Sequence, residues 1–390
     1  MTRDEIREEI LAMPNNHILC ELPTSMGKSR VAIEQLAQKK IPPKDLLIVV
    51  PRLVLIDNWK DEFVKWKHPE YKDATFVTYV SLPKMAGKWK FVIFDECHHL
   101  SERCREALKS FSIKYSMLLS ATVKREMKFE LSALFPGLAV YKYNVRQATD
   151  EGILPDPTVY LLPLYLQNTP PKYEIIFNPK MSNPVVYQYK DRWAARRIKN
   201  RKVIIKCSQR EYYADMTSLI EFYRKKSFGN KIMKNMFLHK SGERLKWLSN
   251  EKTQFVRDIL RYLHEERTLT FCNGISQTEV LGRHCINSKN KQSENNLNKF
   301  NTGKIDHITA CNMLDEGVNL SDCRIGVYAT LNSSDRMITQ KLGRILRHPK
   351  PIIIIPYYKY TRDEEIVKKM CENYNPDLIK TITDLNQIQL

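Results

Sequence analysis

The 390-residue sequence predicts an α/β protein of two tandem domains, each a mostly parallel sheet covered by helices, with a basic helical insertion in the second. Three observations predict this. Apolar, strand-like runs alternate with helical stretches through the first 150 residues, and such alternation gives a parallel sheet buried on both faces. A turn-rich stretch at 151–157 (Glu-Gly-Ile-Leu-Pro-Asp-Pro) breaks the pattern and reads as a linker. Strand signals then resume on either side of a lysine- and arginine-rich segment at about 171–250. The domains are therefore expected at 1–150 and 158–390, each long enough to bury its own core.

In order, strands are expected at 17–22, 46–50, 75–80, 90–94, 116–120 and 138–142, with helices such as 28–39 and 55–66 between them. The second domain opens with a strand at 158–166 and resumes at 269–272, with further strands at 305–311, 324–330 and 351–355. Inside the basic segment, Tyr212, Met216, Leu219, Ile220 and Tyr223 recur at helical spacing. Phe255, Val256, Ile259 and Leu260 do the same over 248–263, so two or three helices should project from this domain. Residues 363–371 read as a short helix, and the tail beyond is uninformative.

Three short stretches carry chemistry. The strand at 18–22 runs into Leu-Pro-Thr-Ser-Met-Gly-Lys-Ser at 22–29, and a helix follows. That context suits a phosphate loop, in which backbone N–H groups and a helix N-terminus face anionic oxygens. Lys28 would reach the outer phosphates and the Ser29 hydroxyl would ligate magnesium. The fit to the strict pattern is imperfect, because Leu22 stands where a glycine is required and Ser25 where one is usual. Asp95 and Glu96 follow a buried strand, which places one carboxylate for the metal and one for water. About 245 residues later comes Gln340-x-x-Gly-Arg-x-x-Arg, whose Arg344 and Arg347 are three apart and share a helix side. Arginine stabilises charge spreading over a transferred phosphoryl group. Hydrolysis is therefore expected between the two domains.

Net charge is +19, and residues 171–250 hold 19 Lys and Arg against 6 Asp and Glu. Two thirds of the excess thus lies in a fifth of the chain, the footprint of a phosphate-backbone partner. A solvated lysine-rich helix face is the bland alternative, and the aromatics interleaved with the charge weigh against it, although many of those will be core. Arg196, Arg197 and Lys199 are the cations singled out for a strand. No window holds 18 uninterrupted apolar residues, so no membrane span is expected. The first residues lack the apolar core of a secretory signal, and nine scattered cysteines without a Cys-x-x-Cys pair read as reduced thiols of a cytoplasmic protein. Zinc binding by Cys97, His98, His99 and Cys104 is the lesser reading of that cluster.

Together these stretches resemble the motifs of a superfamily 2 helicase or translocase of the DExH type, in the family's order from about residue 18 to 355. Motif I is similar to 23–29, Ia to the stretch from Val50 to Trp59, Ib to Thr78 and Tyr79, and II to Asp95-Glu-Cys-His. Motif III resembles Ser120-Ala-Thr, IV Phe271-Cys-Asn, V the stretch from Thr309 to Leu320, and VI the stretch from Gln340 to Arg347. Compactness and basicity are similar to small phage or plasmid DNA-remodelling helicases.

The resemblance implies two RecA-like domains that hold ATP and magnesium in their cleft. Pro23, Thr24, Ser25, Met26, Gly27, Lys28 and Ser29 would cradle the phosphates, with Gly317 and Asn319 beside the nucleotide. Asp95 and Ser29 would serve the metal, and Glu96 the water. Gln340, Arg344 and Arg347 would complete the catalytic set, while Ser120, Ala121 and Thr122 couple hydrolysis to closure. Arg52, Trp59, Thr78, Asn273 and Thr309 would touch the nucleic acid, with core packing weighed equally for Trp59. An upstream adenine-binding stretch common in the family has no clear counterpart; Arg3 and Arg7 are the candidates. The expected protein is a monomeric DNA motor. An RNA helicase, a non-hydrolysing nucleic-acid clamp and a motor subunit of a restriction complex are the alternatives.

Overall fold

The computed structural model describes residues 1–311, 320, 323–331 and 345–390. The first sheet holds β1 (His17–Glu21), β2 (Leu46–Val50), β3 (Thr75–Thr78), β4 (Gly87–Phe94), β5 (Phe111–Ser120) and β6 (Ala139–Lys142). All pair in parallel, in the order β3-β2-β4-β5-β1-β6. β1 and β2 are buried at every position, as expected of strands covered on both faces. Alternate residues supply separate cores: Ile18 and Cys20 join Val31 and Leu36 on one face, while Leu19 joins Leu118 and Phe135 on the other. The helix Arg3–Ala12, which the sequence reading missed, seals the first of these with Ile6 and Ile10. Thr2 and Glu5 form its capping box.

The second parallel sheet begins with β7 (Thr158–Leu164). Before it continues, the chain makes a separate three-stranded sheet from β8 (Tyr173–Phe177), β9 (Val185–Gln188) and β10 (Val203–Cys207). The order is β8-β10-β9, antiparallel and then parallel. The main sheet then takes β11 (Thr268–Phe271), β12 (Cys285–Ile286), β13 (His307–Ala310), β14 (Ile325–Tyr328), β15 (Ile352–Tyr358) and β16 (Ile379–Thr381). Its order is β12-β13-β11-β14-β15-β7-β16, all parallel. Two tandem RecA-like domains result.

The insertion corrects the expectation of a purely helical element. Its sheet precedes two long helices, Gln209–Lys226 and Lys231–Glu251, which pack on each other. Charge hid the strands, because Tyr-Glu-Ile-Ile-Phe and Val-Ile-Ile-Lys-Cys are short apolar runs each carrying an ion. Their core is small, with Ala195, Val203 and Ile205 fully enclosed. The root of the helical pair is an aromatic cluster in which Tyr212 lies 5.0 Å from Tyr173 and Trp247 lies 5.5 Å from both, between ring centroids. The helix expected over 248–263 is broken at Lys252, whose ammonium is wholly buried against Asp363, 2.7 Å away. No helix of the described residues is long and apolar enough to cross a membrane. Eight of the nine cysteines are buried, and no group of three or more metal-ligating side chains forms among the described residues.

Candidate active site

β1 delivers the chain into the loop at 22–27, and the helix Lys28–Gln38 leaves it. Ser25 and Gly27 both have positive φ (71° and 80°), which turns the backbone sharply between strand and helix. Gly27 has no heavy atom within 4 Å of where a Cβ would stand, so conformation rather than room demands glycine there. Ser25 takes the left-handed geometry without being glycine, and that geometry is the reason glycine is usual at this position. No acid sits in the first turn of the helix, so no carboxylate of the helix itself competes for its N-terminal N–H groups. Lys28 donates to the carbonyls of Leu22 (3.0 Å) and Pro23 (3.4 Å), folded back on its own loop.

The carboxylate pair stands at the neighbouring strand end. Asp95 N–H donates to Val49 O (2.9 Å), extending the β2–β4 pairing by one residue. Burial, and then the charge of Glu96, hold the Asp95 carboxyl well above the usual range, opposed by a hydrogen bond from Trp59 and by Lys28. Trp59 Nε1 donates to Asp95 Oδ2 at 2.9 Å, and Tyr79 OH donates to the Asp95 carbonyl at 2.7 Å. Trp59 is 3% exposed, so the expected strand contact is corrected: its indole orients a carboxylate. Glu96 adopts a left-handed conformation (φ 48°, ψ 56°) and is nearly buried. Such a bulky residue at positive φ is strained, and strain of this kind concentrates at functional sites.

His98, which the sequence reading gave no role of its own, bridges two motifs. Its Nδ1 lies 3.0 Å from Ser120 Oγ and 3.4 Å from Glu96 Oε2. Ser120 is fully buried and donates its own proton to Thr122 O (3.1 Å), so His98 Nδ1 carries the proton it shares with Ser120. Ser120, Ala121 and Thr122 are thereby tied to Glu96 through one imidazole. The signal was available: a histidine two residues after the acid, at a strand end.

Arg347 comes from the second domain. Its Nε is 3.2 Å from Ser25 Oγ and its Nη1 is 3.2 Å from Leu320 O. A cavity of about 740 Å³ is lined by the loop from Thr24 to Ser29, by Trp59, Asp95 and Glu96, and by Leu346 and Arg347. Arg3 and Arg7 also line it, with Arg7 paired to Glu34 at 2.8 Å. So does Trp66, under the Arg30 guanidinium at 4.3 Å. The loop, the carboxylate pair and one arginine of the last motif therefore meet at one place. Gln340, Arg344, Gly317 and Asn319 lie outside the described residues.

The expected nucleic-acid contacts divide. Arg52 is exposed just after β2, and Thr78 ends β3 with its hydroxyl 3.3 Å from Ser81 Oγ. Asn273 follows β11, and its buried Nδ2 has no hydrogen-bond partner among the described residues. Thr309 is corrected: it is 2% exposed and donates to Thr278 O at 3.0 Å. Its methyl fills the space left by Gly282, where a Cβ would stand 2.8 Å away. Arg196 is partly enclosed, paired with Asp215 and lying over the rings of Phe177 and Trp193. Arg197 and Lys199 are exposed.

Residues 4–125 match the family described as "Type III restriction enzyme, res subunit", and 251–349 match "Helicase conserved C-terminal domain". The sequence is 26% identical over 352 residues to the DNA 3'-5' translocase XPB2 of Sulfurisphaera tokodaii, which spans 84% of this chain and 74% of that protein. In fold it is similar to S. cerevisiae Dbp5 bound to RNA and ADP BeF3. One such structure, of a variant, gives a TM-score of 0.61 at 10% identity, covering 98% of this chain and 91% of that one. Another gives 0.55 at 11% identity, covering 97% and 89%. At those identities the likeness is one of fold.

Proposed function

We propose that this chain is a superfamily 2 helicase, an ATP-driven DNA motor of the DExH type that translocates on one strand and remodels forked or branched DNA; the matches at 4–125 and 251–349 and the similarity to a DNA translocase support the reading. The observation that carries the reading is Arg347, a second-domain residue, standing 3.2 Å from the first-domain phosphate loop. A nucleotide between the two would feel both domains, which is what converts hydrolysis into movement. The residues fit such a guest: a helix N-terminus free of acid, a desolvated carboxylate pair that a cation would relieve, and an arginine across the cleft.

In this reading Pro23 to Ser29, Lys28 among them, would hold the phosphates, and Ser29 and Asp95 would hold magnesium. Bound magnesium nucleotide would supply the anhydride bond whose cleavage drives the cycle. Glu96 accepts a proton from the attacking water, and His98 passes the state of Glu96 to Ser120 and Thr122. Arg347, with Gln340 and Arg344, stabilises the charge that develops on cleavage. Arg52, Thr78 and Asn273 position phosphates of the strand without reading bases, as stepping along any sequence requires. The 3'-to-5' direction in the relative's name is the direction we propose here, for a cytoplasmic monomer.

The test is ATPase rate with single-stranded, duplex and forked DNA and with RNA, side by side. Stimulation by DNA, lost in Glu96→Gln while nucleotide binding persists, is expected. Greater stimulation by RNA would favour the RNA-helicase alternative, and absence of hydrolysis the clamp. A second reading, a motor working beside a nuclease, is favoured by the restriction-enzyme family matched at 4–125; ATP-dependent DNA cleavage on adding a nuclease subunit would support it.

A further inference from the structure

The helical pair of the insertion ends in an exposed aromatic ring that neither the core nor the turn uses. Gln209–Lys226 is 18 residues long, about 27 Å of helix at 1.5 Å per residue, and it runs from the packed aromatic root to a free tip. At that tip Phe228 is 99% exposed, with Ile232 (71%) and Phe222 (48%) nearby. The turn is made by other residues. Gly229 takes the positive φ, Ser227 Oγ donates to Arg224 O at 2.7 Å, and the Asn230 side chain caps the next helix. Between 222 and 234 stand Arg224, Lys225, Lys226, Lys231 and Lys234, and no acid. Arg224 is engaged by Glu221 and Lys226 lies 4.5 Å over the Phe222 ring. Cations thus flank a bare apolar ring on both sides in the chain.

We propose that this tip is a nucleic-acid contact in which Phe228 stacks on an unpaired or opened base while Lys225, Lys231 and Lys234 hold the adjoining phosphates. The proposal rests on the nucleic-acid reading above and names the part of the insertion that meets bases. A run of cations with no acid among them favours a polyanion, and a ring as exposed as Phe228 can offer its flat face to one base. A bilayer would call for a continuous apolar helix face, and an apolar protein pocket gives no use for cations without acids to meet them. Aromatic side chains stack on any base, so the contact adds affinity for opened strands without sequence preference.

The full-length chain carrying Phe228→Trp places a reporter at the tip. Adding a single-stranded oligonucleotide or a forked duplex should quench its fluorescence beyond the change seen in the parent with its native tryptophans. Phe228→Ala should weaken single-strand and fork binding about tenfold, the scale of one lost base–aromatic stack, with blunt duplex much less affected. Phe228→Trp should retain the affinity. No excess quenching together with unchanged Phe228→Ala affinity overturns the proposal. So does quenching by phosphatidylserine vesicles but not by DNA, which would make the tip a membrane contact. If the parent's ATPase ignores DNA altogether, the broader reading falls first; if DNA stimulates it and both variants are silent, the tip alone is wrong.

Discussion

The cavity beside the phosphate loop and the basic insertion are held by opposite means. Around the cavity each functional group is fixed by a buried neighbour: Asp95 by Trp59 and by the β2 pairing, Glu96 by a left-handed backbone, Ser120 by His98. In the insertion, three small enclosed residues and an aromatic root support a surface crowded with cations. The contrast teaches that chemistry here is bought with preorganisation and strand binding with charge number. Single substitutions should therefore be severe in the first region and graded in the second.

The largest expected effect tests the cavity. Arg347→Ala should slow turnover by roughly 10³-fold or more at saturating DNA, the scale of a lost arginine finger. Nucleotide binding should fall much less, since Lys28 and the loop remain. Unchanged turnover would mean that the contact with Ser25 does not persist during the cycle, and the contrast would lose its main support.

One place at the root of the insertion should behave like the cavity. Lys252 is wholly buried against Asp363 where the helical pair joins the body of its domain. Lys252→Met leaves the buried Asp363 carboxylate without its counter-charge, with the Tyr358 N–H at 3.3 Å still donating to it, and should cost about 3–5 kcal/mol, seen as a lower melting temperature. Replacing both partners, Lys252→Met with Asp363→Leu, should recover most of that loss. A mild single variant would show water reaching the pair and the root to be looser than its burial implies.

Much of this was legible in the sequence because the motifs sit at strand ends, where a short apolar run followed by Gly-Lys-Ser or Asp-Glu leaves little choice of geometry. Trp59 was half legible: its helical spacing marked it as core or contact, but only the fold shows its N–H meeting Asp95, 36 residues away. Thr309 misled because a hydroxyl ending a strand looks available, and the glycine that lets it turn inward lies 27 positions earlier in the chain. The insertion's sheet was hidden by its charges, since a lysine or glutamate on the solvent face of a strand reads as helix or loop. Arg196 shows the same limit. Neighbouring arginines look alike until one of them finds Asp215.

Trp59 sharpens the comparison at intermediate scale. Trp59→Phe keeps an aromatic ring and removes the N–H that orients Asp95. Loss of a hydrogen bond that orients a metal-binding carboxylate costs on the order of 10- to 100-fold in metal affinity or activity. Titrating magnesium against turnover should show a higher half-saturation and a lower maximum, with little change in melting temperature. A variant that melts early but keeps its magnesium dependence would make Trp59 simply core.

The smallest effect separates two neighbouring arginines. Burial pushes the Asp215 carboxyl up, and Arg196 opposes the shift. In Arg196→Ala the opposition is gone, so the variant should be less stable than the parent at neutral pH. The deficit should shrink as pH falls and the now weaker acid binds its proton, because a raised acid pKa makes the folded state the better proton binder. Melting curves at neutral and acid pH check this, and DNA affinity should change only as far as the fold does. Arg197 and Lys199 are exposed and should behave in reverse. Arg197→Glu with Lys199→Glu should leave the melting temperature alone and weaken binding to every DNA sequence. Each lost phosphate contact should flatten the slope of log affinity against log salt by roughly 0.7–0.9. If the pair changes stability and not the salt slope, these cations serve the fold, and the insertion is held in the same way as the cavity.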